Sequence, residues 1–178
     1  MTKKEKAFWL TVFLAAGLCL RMNNLGSRSL WTDEFYTLFQ SAGHGIQMKD
    51  MLDGAGAQNS PRVFRAGELK EYFNPRAGDT LSGVGAALRY SDVHPPLYFW
   101  IIHLWTKIFG NSAFAVRFFS VLAGLFCILA AYQVTRYLFG EEAAIFSALF
   151  VSISPFCVRY SQEARSYMMV MALGLLAW

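Results

Sequence analysis

Charge is what this chain of 178 residues has least of: only 16% are Asp, Glu, Lys or Arg, against about 25% in an ordinary soluble domain. That scarcity excludes a disordered chain and a solvated coiled coil. Cysteine is scarce too, and Cys19, Cys127 and Cys157 each fall inside an apolar stretch, with no metal-ligand spacing and no sensible pairing. A disulfide-stapled secreted scaffold is therefore excluded, and the three thiols are expected to be buried bystanders. A basic stripe interleaved with aromatics is missing, so nucleic acid is not an expected partner. From Ser27 to His94, seven Lys/Arg face eight Asp/Glu, close to neutral. Internal repeats are absent as well.

What is abundant is apolar and aromatic side chain: 55% of the residues are hydrophobic, with 16 Phe, 8 Tyr and 5 Trp. This composition points to an integral membrane protein of the all-α class. The first apolar stretch, Ala7–Leu20, follows Lys3, Lys4 and Lys6. No small-residue cleavage site follows it, so it reads as an uncleaved span (about 7–23) with a cytoplasmic N-terminus. Snorkelling of Lys6 and Arg21 would extend it to membrane thickness. Residues 115–138 and 143–159 read as the second and third spans, and 166–178 as a fourth. The closing run Leu173-Gly-Leu-Leu-Ala-Trp178 has no charge, cap or turn, and reads as a helix cut in mid-span, in the N-terminal part of something longer.

Leu97–Phe109 is too short for a crossing, which needs about 20 residues, and it contains His103 and Lys107. Pro95-Pro96 stand where a helix would start. An interfacial helix over about 96–109 suits it better. The expected topology then has one external loop, 24–112, and puts Arg159–Arg165 on the same non-cytoplasmic side. Within that loop, Ser41–Asp92 holds eight of the fourteen glycines and reads as a mobile, partly ordered external loop. Gly54-Ala-Gly56 and Gly83-Val-Gly85 are too weak to be phosphate cradles without a flanking strand and helix.

Three segments carry candidate chemistry. In Leu30-Trp-Thr-Asp-Glu34, two adjacent carboxylates sit at the expected membrane boundary, where such charges are costly unless solvated or used. One could take a proton from an attacking hydroxyl, or the pair could hold a divalent metal, although two carboxylates alone do not define a metal site. The same residues also suit a plain helix start, with Thr32 as cap and Asp33 and Glu34 in the first turn. In Asp92-Val-His-Pro-Pro96, His94 is kept out of the following helix and could bind phosphate or metal, or simply sit in a stiff turn. In Ser154-Pro-Phe-Cys-Val-Arg-Tyr-Ser-Gln-Glu-Ala-Arg-Ser-Tyr167, Arg159, Tyr160, Gln162, Glu163 and Arg165 cluster at a span end. Paired arginines there suit a lipid-linked phosphate, or an ordinary helix–helix turn. His44 and His103 have no role in this reading.

In this order, Asp33-Glu34, His94-Pro-Pro-Leu-Tyr98, Gly110-Asn-Ser-Ala-Phe-Ala-Val-Arg117 and Ser154–Arg165 resemble the GT-C superfamily of polyprenyl-phosphate-sugar glycosyltransferases. The nearer resemblance is to the glycosyltransferase family 39-like branch, related to dolichyl-phosphate-mannose protein mannosyltransferases and aminoarabinose transferases. The resemblance covers nearly the whole chain apart from 41–91. It implies a multispanning helical bundle with juxtamembrane helices in an external loop, in a bacterial plasma membrane, with the site on the external face. It also implies Asp33 as catalytic base with Glu34 beside it, and Glu163 in the site. His94, Tyr98, Arg159, Tyr160, Gln162 and Arg165 would bind substrate. The implied partners are a polyprenyl-phosphate sugar donor, a lipid, glycan or protein acceptor, and the bilayer. The competing reading is a non-catalytic membrane fragment, or a transporter or flippase-like protein. The expected spans carry no charge in their middles, which favours chemistry at a membrane face over transport through it.

Overall fold

The computed structural model describes residues 2–47, 50, 69, 71–76, 78–91 and 94–178. Gly54-Ala-Gly56 and Asp92 lie outside the described residues. Among those described, all regular structure is helical: α1 (Lys3–Met22), α2 (Thr32–Ala42), a 3-10 turn Glu71–Phe73, α3 (Leu81–Ser91), α4 (Pro96–Phe109), α5 (Ala113–Phe139), α6 (Glu141–Ile153), α7 (Pro155–Ser161) and α8 (Tyr167–Leu176). The chain divides into two compact units, one of Met1–Arg28 with Arg117–Trp178, the other of Ser29–Val116.

The first unit opens with a capping box: Thr2 Oγ1 accepts from the Glu5 N–H at 3.3 Å, and Glu5 Oε2 accepts from the Thr2 N–H at 2.8 Å. That satisfies two of the donors a helix start leaves unpaired. α1 packs on α6 and α7, and α7 on α8. Ile128 and Tyr132 of α5 bury against Ala144, Ile145 and Ala148 of α6, with Leu10, Phe13 and Leu14 of α1 alongside. A second cluster joins Cys127, Cys157, Met168 and Ala172. Gly140, at φ 85°, ends α5 in a conformation only glycine adopts readily. Beside it, Glu141 pairs with Arg136 at 2.8 Å and Lys6 at 3.7 Å.

Among the described residues, α5, with 27 residues, is the one helix long and apolar enough to cross a membrane by itself. At about 1.5 Å per residue it is some 40 Å long. The expected third span passes that test only as a bent pair, α6 and α7, which meet at 55°. Pro155 causes the break, because it has no N–H for the Val151 carbonyl and its ring opposes a continuing helix. α8 is apolar but has ten residues. Two sequence expectations are corrected in α1. Arg21 does not snorkel: it is fully buried, because the α6–α7 break offers its guanidinium carbonyl partners. Cys19 is exposed rather than buried, unlike Cys127 and Cys157; where a helix is apolar all round, hydrophobicity alone does not say which face packs inward.

The second unit gathers α2, α3, α4 and the 3-10 turn. Leu38, Phe39 and Ala42 of α2, Val84, Ala87 and Leu88 of α3, and Tyr98, Phe99 and Ile102 of α4 are among its buried residues. Phe73 packs edge-on against Phe35 and Phe39, at 4.9 and 5.3 Å between centroids. Gly43, at φ 86°, ends α2, with its own N–H on the Gln40 carbonyl and the His44 N–H on Phe39. Pro95 and Pro96 start α4 as expected. The helix α3 lies in the segment that read as a partly ordered loop and had no helix placed in it; Val84, Ala87 and Leu88 have i, i+3, i+4 spacing and pack inward. Gly83 and Gly85 therefore belong to a helix, not a phosphate loop.

Candidate functional site

The candidate residues fall into two sets, Asp33, Glu34, His94 and Tyr98 in the second unit and Arg159–Arg165 in the first. Asp33 and Glu34 occupy the first turn of α2, where carboxylates meet the positive end of the helix dipole. The cap is Trp31, one residue before the expected Thr32. Glu34 is fully buried and its Oε2 accepts from the Trp31 N–H at 3.2 Å, one half of a capping box. Asp33 is only half-buried. The two carboxylates thus differ: Glu34 holds the turn together, and Asp33 is presented by it. Among the described residues no three or more His, Cys, Asp or Glu side chains are grouped to hold a metal ion. With Glu34 turned to the backbone, the pair does not make a fitting metal centre.

His94 is half-buried just before α4, its ring edge-on to Phe99 at 6.2 Å. Tyr98 is buried, 5.8 Å from the Phe99 ring. The two histidines without an expected role are structural. His103 Nδ1 lies 2.7 Å from the Ser41 carbonyl, joining α4 to α2. His44 is held between the Tyr72 carbonyl at 2.9 Å and the Asp79 carboxylate at 3.3 Å.

In the first unit, Ser154 caps α7, its Oγ accepting from the Cys157 N–H at 3.4 Å. One turn on, Arg159 donates from Nε to Glu163 Oε1 at 2.7 Å. The pair is asymmetric, with the Arg159 side chain 64% exposed and that of Glu163 9%. Tyr160 packs between Phe156 and Tyr167, at 4.4 and 4.6 Å. Arg165 lies 6.0 Å from the Tyr167 ring centroid, within cation–π range. Gln162 is placed differently: its Nε2 donates to the carbonyls of Leu20, Arg21 and Asn23, at 3.2, 3.2 and 2.9 Å. Its amide closes the C-terminal end of α1.

Two arginines outside the expected site turn out to hold the unit together. Arg21 donates to Ser161 Oγ at 3.1 Å and to the carbonyls of Gly17, Ser152 and Val151 at 3.0, 2.8 and 3.0 Å. Arg117, from the Gly110–Arg117 motif, is also buried and donates to the Leu25 and Arg28 carbonyls at 2.9 and 3.0 Å. The sequence signal for both was a lone arginine at the edge of an apolar run, which an anchoring residue shares. Glycines make room for Arg21: a Cβ on Gly124 would meet Ser161 Oγ and stand 3.0 Å from Arg21 Nε, and one on Gly17 would lie 2.8 Å from Ile128 Cδ1.

Comparison with known proteins bears on the second half of the chain. Residues 93–178 match the dolichyl-phosphate-mannose-protein mannosyltransferase family. The match takes in His94, Tyr98 and the whole Arg159–Arg165 set, and it supports kinship with membrane glycosyltransferases of the GT-C type. Asp33 and Glu34 lie before it. An uncharacterized protein of Aquifex aeolicus (strain VF5) is 32% identical over 88 residues, which is 47% of this chain and 18% of that protein. The aligned part is thus under a fifth of that relative's length. No solved structure matches the chain.

Proposed function

We propose that the protein is a membrane glycosyltransferase that moves a sugar from a polyprenyl-phosphate donor to a hydroxyl on a lipid, glycan or protein acceptor. The observation that carries this is the family match over residues 93–178, which falls on the segments holding the basic and aromatic candidates. In the proposed reaction Asp33, the half-exposed carboxylate, takes the proton of the acceptor hydroxyl. The acceptor oxygen bonds to the anomeric carbon as the bond from that carbon to the phosphate oxygen breaks. The departing polyprenyl phosphate gains negative charge, which Arg159 or Arg165 offsets. Glu163 holds Arg159 in place, Glu34 fixes the turn that presents Asp33, and His94, Tyr98 and Tyr160 complete the substrate contacts. Gln162 positions α1 rather than touching substrate.

In the same reading α1, α5, the bent α6–α7 pair and α8 belong to a multispanning bundle in a bacterial plasma membrane. The N-terminus is cytoplasmic and the site faces outward. α4 lies in the interface; its buried side (Tyr98, Phe99, Ile102, His103, Thr106) is opposed by exposed Leu97, Leu104, Ile108 and Phe109, which suits a lipid surface. The test is a transfer assay on the full-length protein in nanodiscs with a panel of radiolabelled polyprenyl-phosphate sugars and lipid, glycan and peptide acceptors. Label should move from donor to acceptor, and no transfer with any pair overturns the reading. Cysteine labelling in intact cells should reach positions 33 and 163 from the same, external side; opposite sides would overturn the shared site.

A further inference from the structure

A cleft of about 460 Å³ lies between α3 and α4, lined by Ser82, Gly85, Leu88, Arg89, His94, Pro96 and Trp100. Its size falls in the range of small-ligand sites, roughly 300–1,000 Å³. Of its lining, only His94 has been given a role so far. The Trp100 indole N–H donates to the Leu81 carbonyl at 2.9 Å, so the ring is pinned as a fixed platform and offers a ligand its face. Gly85 opens the space in front of that ring, since a Cβ there would already touch the indole at 3.7 Å. Arg89 is exposed, and among the described residues no ion pair holds its guanidinium. A rigid aromatic face, an apolar floor at Leu88, a hydroxyl at Ser82 and a free cation beside an imidazole form a specific combination. The flat C–H side of a sugar ring packs on an indole, while guanidinium and imidazole pair with an anion.

We propose that this cleft binds an anionic saccharide, a sugar ring carrying a phosphate or carboxylate, with Trp100 under the ring and Arg89 on the anion. The saccharide half of the assignment rests on the glycosyltransferase reading, while the anion half rests on the cleft itself. The test reads binding, not transfer. The full chain in nanodiscs of zwitterionic lipid is dialysed to equilibrium against glucose 1-phosphate, glucose or inorganic phosphate. Glucose 1-phosphate should bind saturably and more tightly than either fragment. Arg89→Gln, a change at an exposed position, should weaken it at least tenfold with an unchanged melting temperature. Gly85→Leu, which fills the cleft, should abolish it.

Competition with farnesyl-phosphate glucose separates the two sources of such a ligand. Displacement that depends on Arg89 assigns the cleft to a lipid-linked sugar, and its absence to a free one. No saturable binding, or an affinity unchanged by both Arg89→Gln and Gly85→Leu, overturns the proposal. Inorganic phosphate binding as tightly as glucose 1-phosphate overturns its saccharide half. A protein that binds through Arg89 but transfers nothing would sink the enzymatic reading and leave the cleft. Active transfer without Arg89-dependent binding would do the reverse.

Discussion

The two units solve the same problem, burying polar groups, with different chemistry. In the first, arginine side chains reach backbone carbonyls: Arg21 takes those of Val151, Ser152 and Gly17, and Arg117 those of Leu25 and Arg28. In the second, rings do the work: Phe35, Phe39, Tyr72 and Phe73 pack on one another, and His44 and His103 close on carbonyls. The contrast follows from where helices break. The first unit interrupts an apolar segment at Ser154-Pro155, which leaves the Val151 and Ser152 carbonyls to side-chain donors, and a buried carbonyl without a partner is costly. Arginine, with five donors on a long stem, is the side chain that can repair several at once. The second unit ends its helices at glycines and prolines suited to termini, and its side chains meet carbonyls one at a time: His103 on Ser41, His44 on Tyr72, Trp100 on Leu81.

If that contrast holds, Arg21→Met should be the most damaging single change. It leaves the Val151 and Ser152 carbonyls and Ser161 without this donor, at about 1–3 kcal/mol for each unsatisfied group. We expect a collapse in the yield of folded protein in detergent, measured by size-exclusion chromatography. A variant as stable as the parent would show that the guanidinium is dispensable. His103→Phe, the nearest equivalent in the ring-packed unit, should cost less, because a single carbonyl is left unpaired.

Asp33→Asn should act on chemistry and not on stability. Removing a general base costs roughly a hundredfold or more in turnover, so transfer in the full-length protein should fall at least that far with an unchanged melting temperature. Glu34→Ala should lower both, since its carboxylate caps α2. Equal effects of the two substitutions would erase the division of labour between them.

Gly124→Ala asks how tightly the first unit is packed. The added methyl meets Ser161 Oγ and crowds Arg21 Nε, and overpacking of this kind costs about 1–3 kcal/mol. A clear drop in thermal midpoint is expected, smaller than for Arg21→Met. An unchanged midpoint would mean that α5 and α7 can move apart freely at this point.

Much of the architecture was legible because its signals are local. Pro95-Pro96 marked the start of α4, Glu141 and Gly140 the break after α5, and the charge-free run after Arg117 the long helix. The helix-start alternative offered for Asp33 and Glu34 matches the first turn of α2, one residue from the actual cap. What could not be read depends on distant partners. Nothing local says that Arg21 faces inward, because apart from the Gly17 carbonyl its acceptors lie 130 residues or more along the chain. α3 was hidden by its glycines, although Val84, Ala87 and Leu88 carried the helical spacing. Gln162 illustrates the same gap: a polar residue among candidate ligands, occupied by the backbone of α1.

Gln162 supplies the gentlest test. Its amide has two N–H groups facing three carbonyls, so those bonds are shared, and a net hydrogen bond contributes about 0.5–1.5 kcal/mol. Gln162→Ala should therefore lower the thermal midpoint slightly and loosen the C-terminal turn of α1, seen as faster amide exchange at residues 20–24. If Gln162 touches no substrate, the KM for donor should stay within twofold of the parent. A KM raised tenfold with an unchanged midpoint would return Gln162 to the substrate-binding set. It would also mean that the α1 terminus is held by Arg21 and Arg117 without help from the loop after α7.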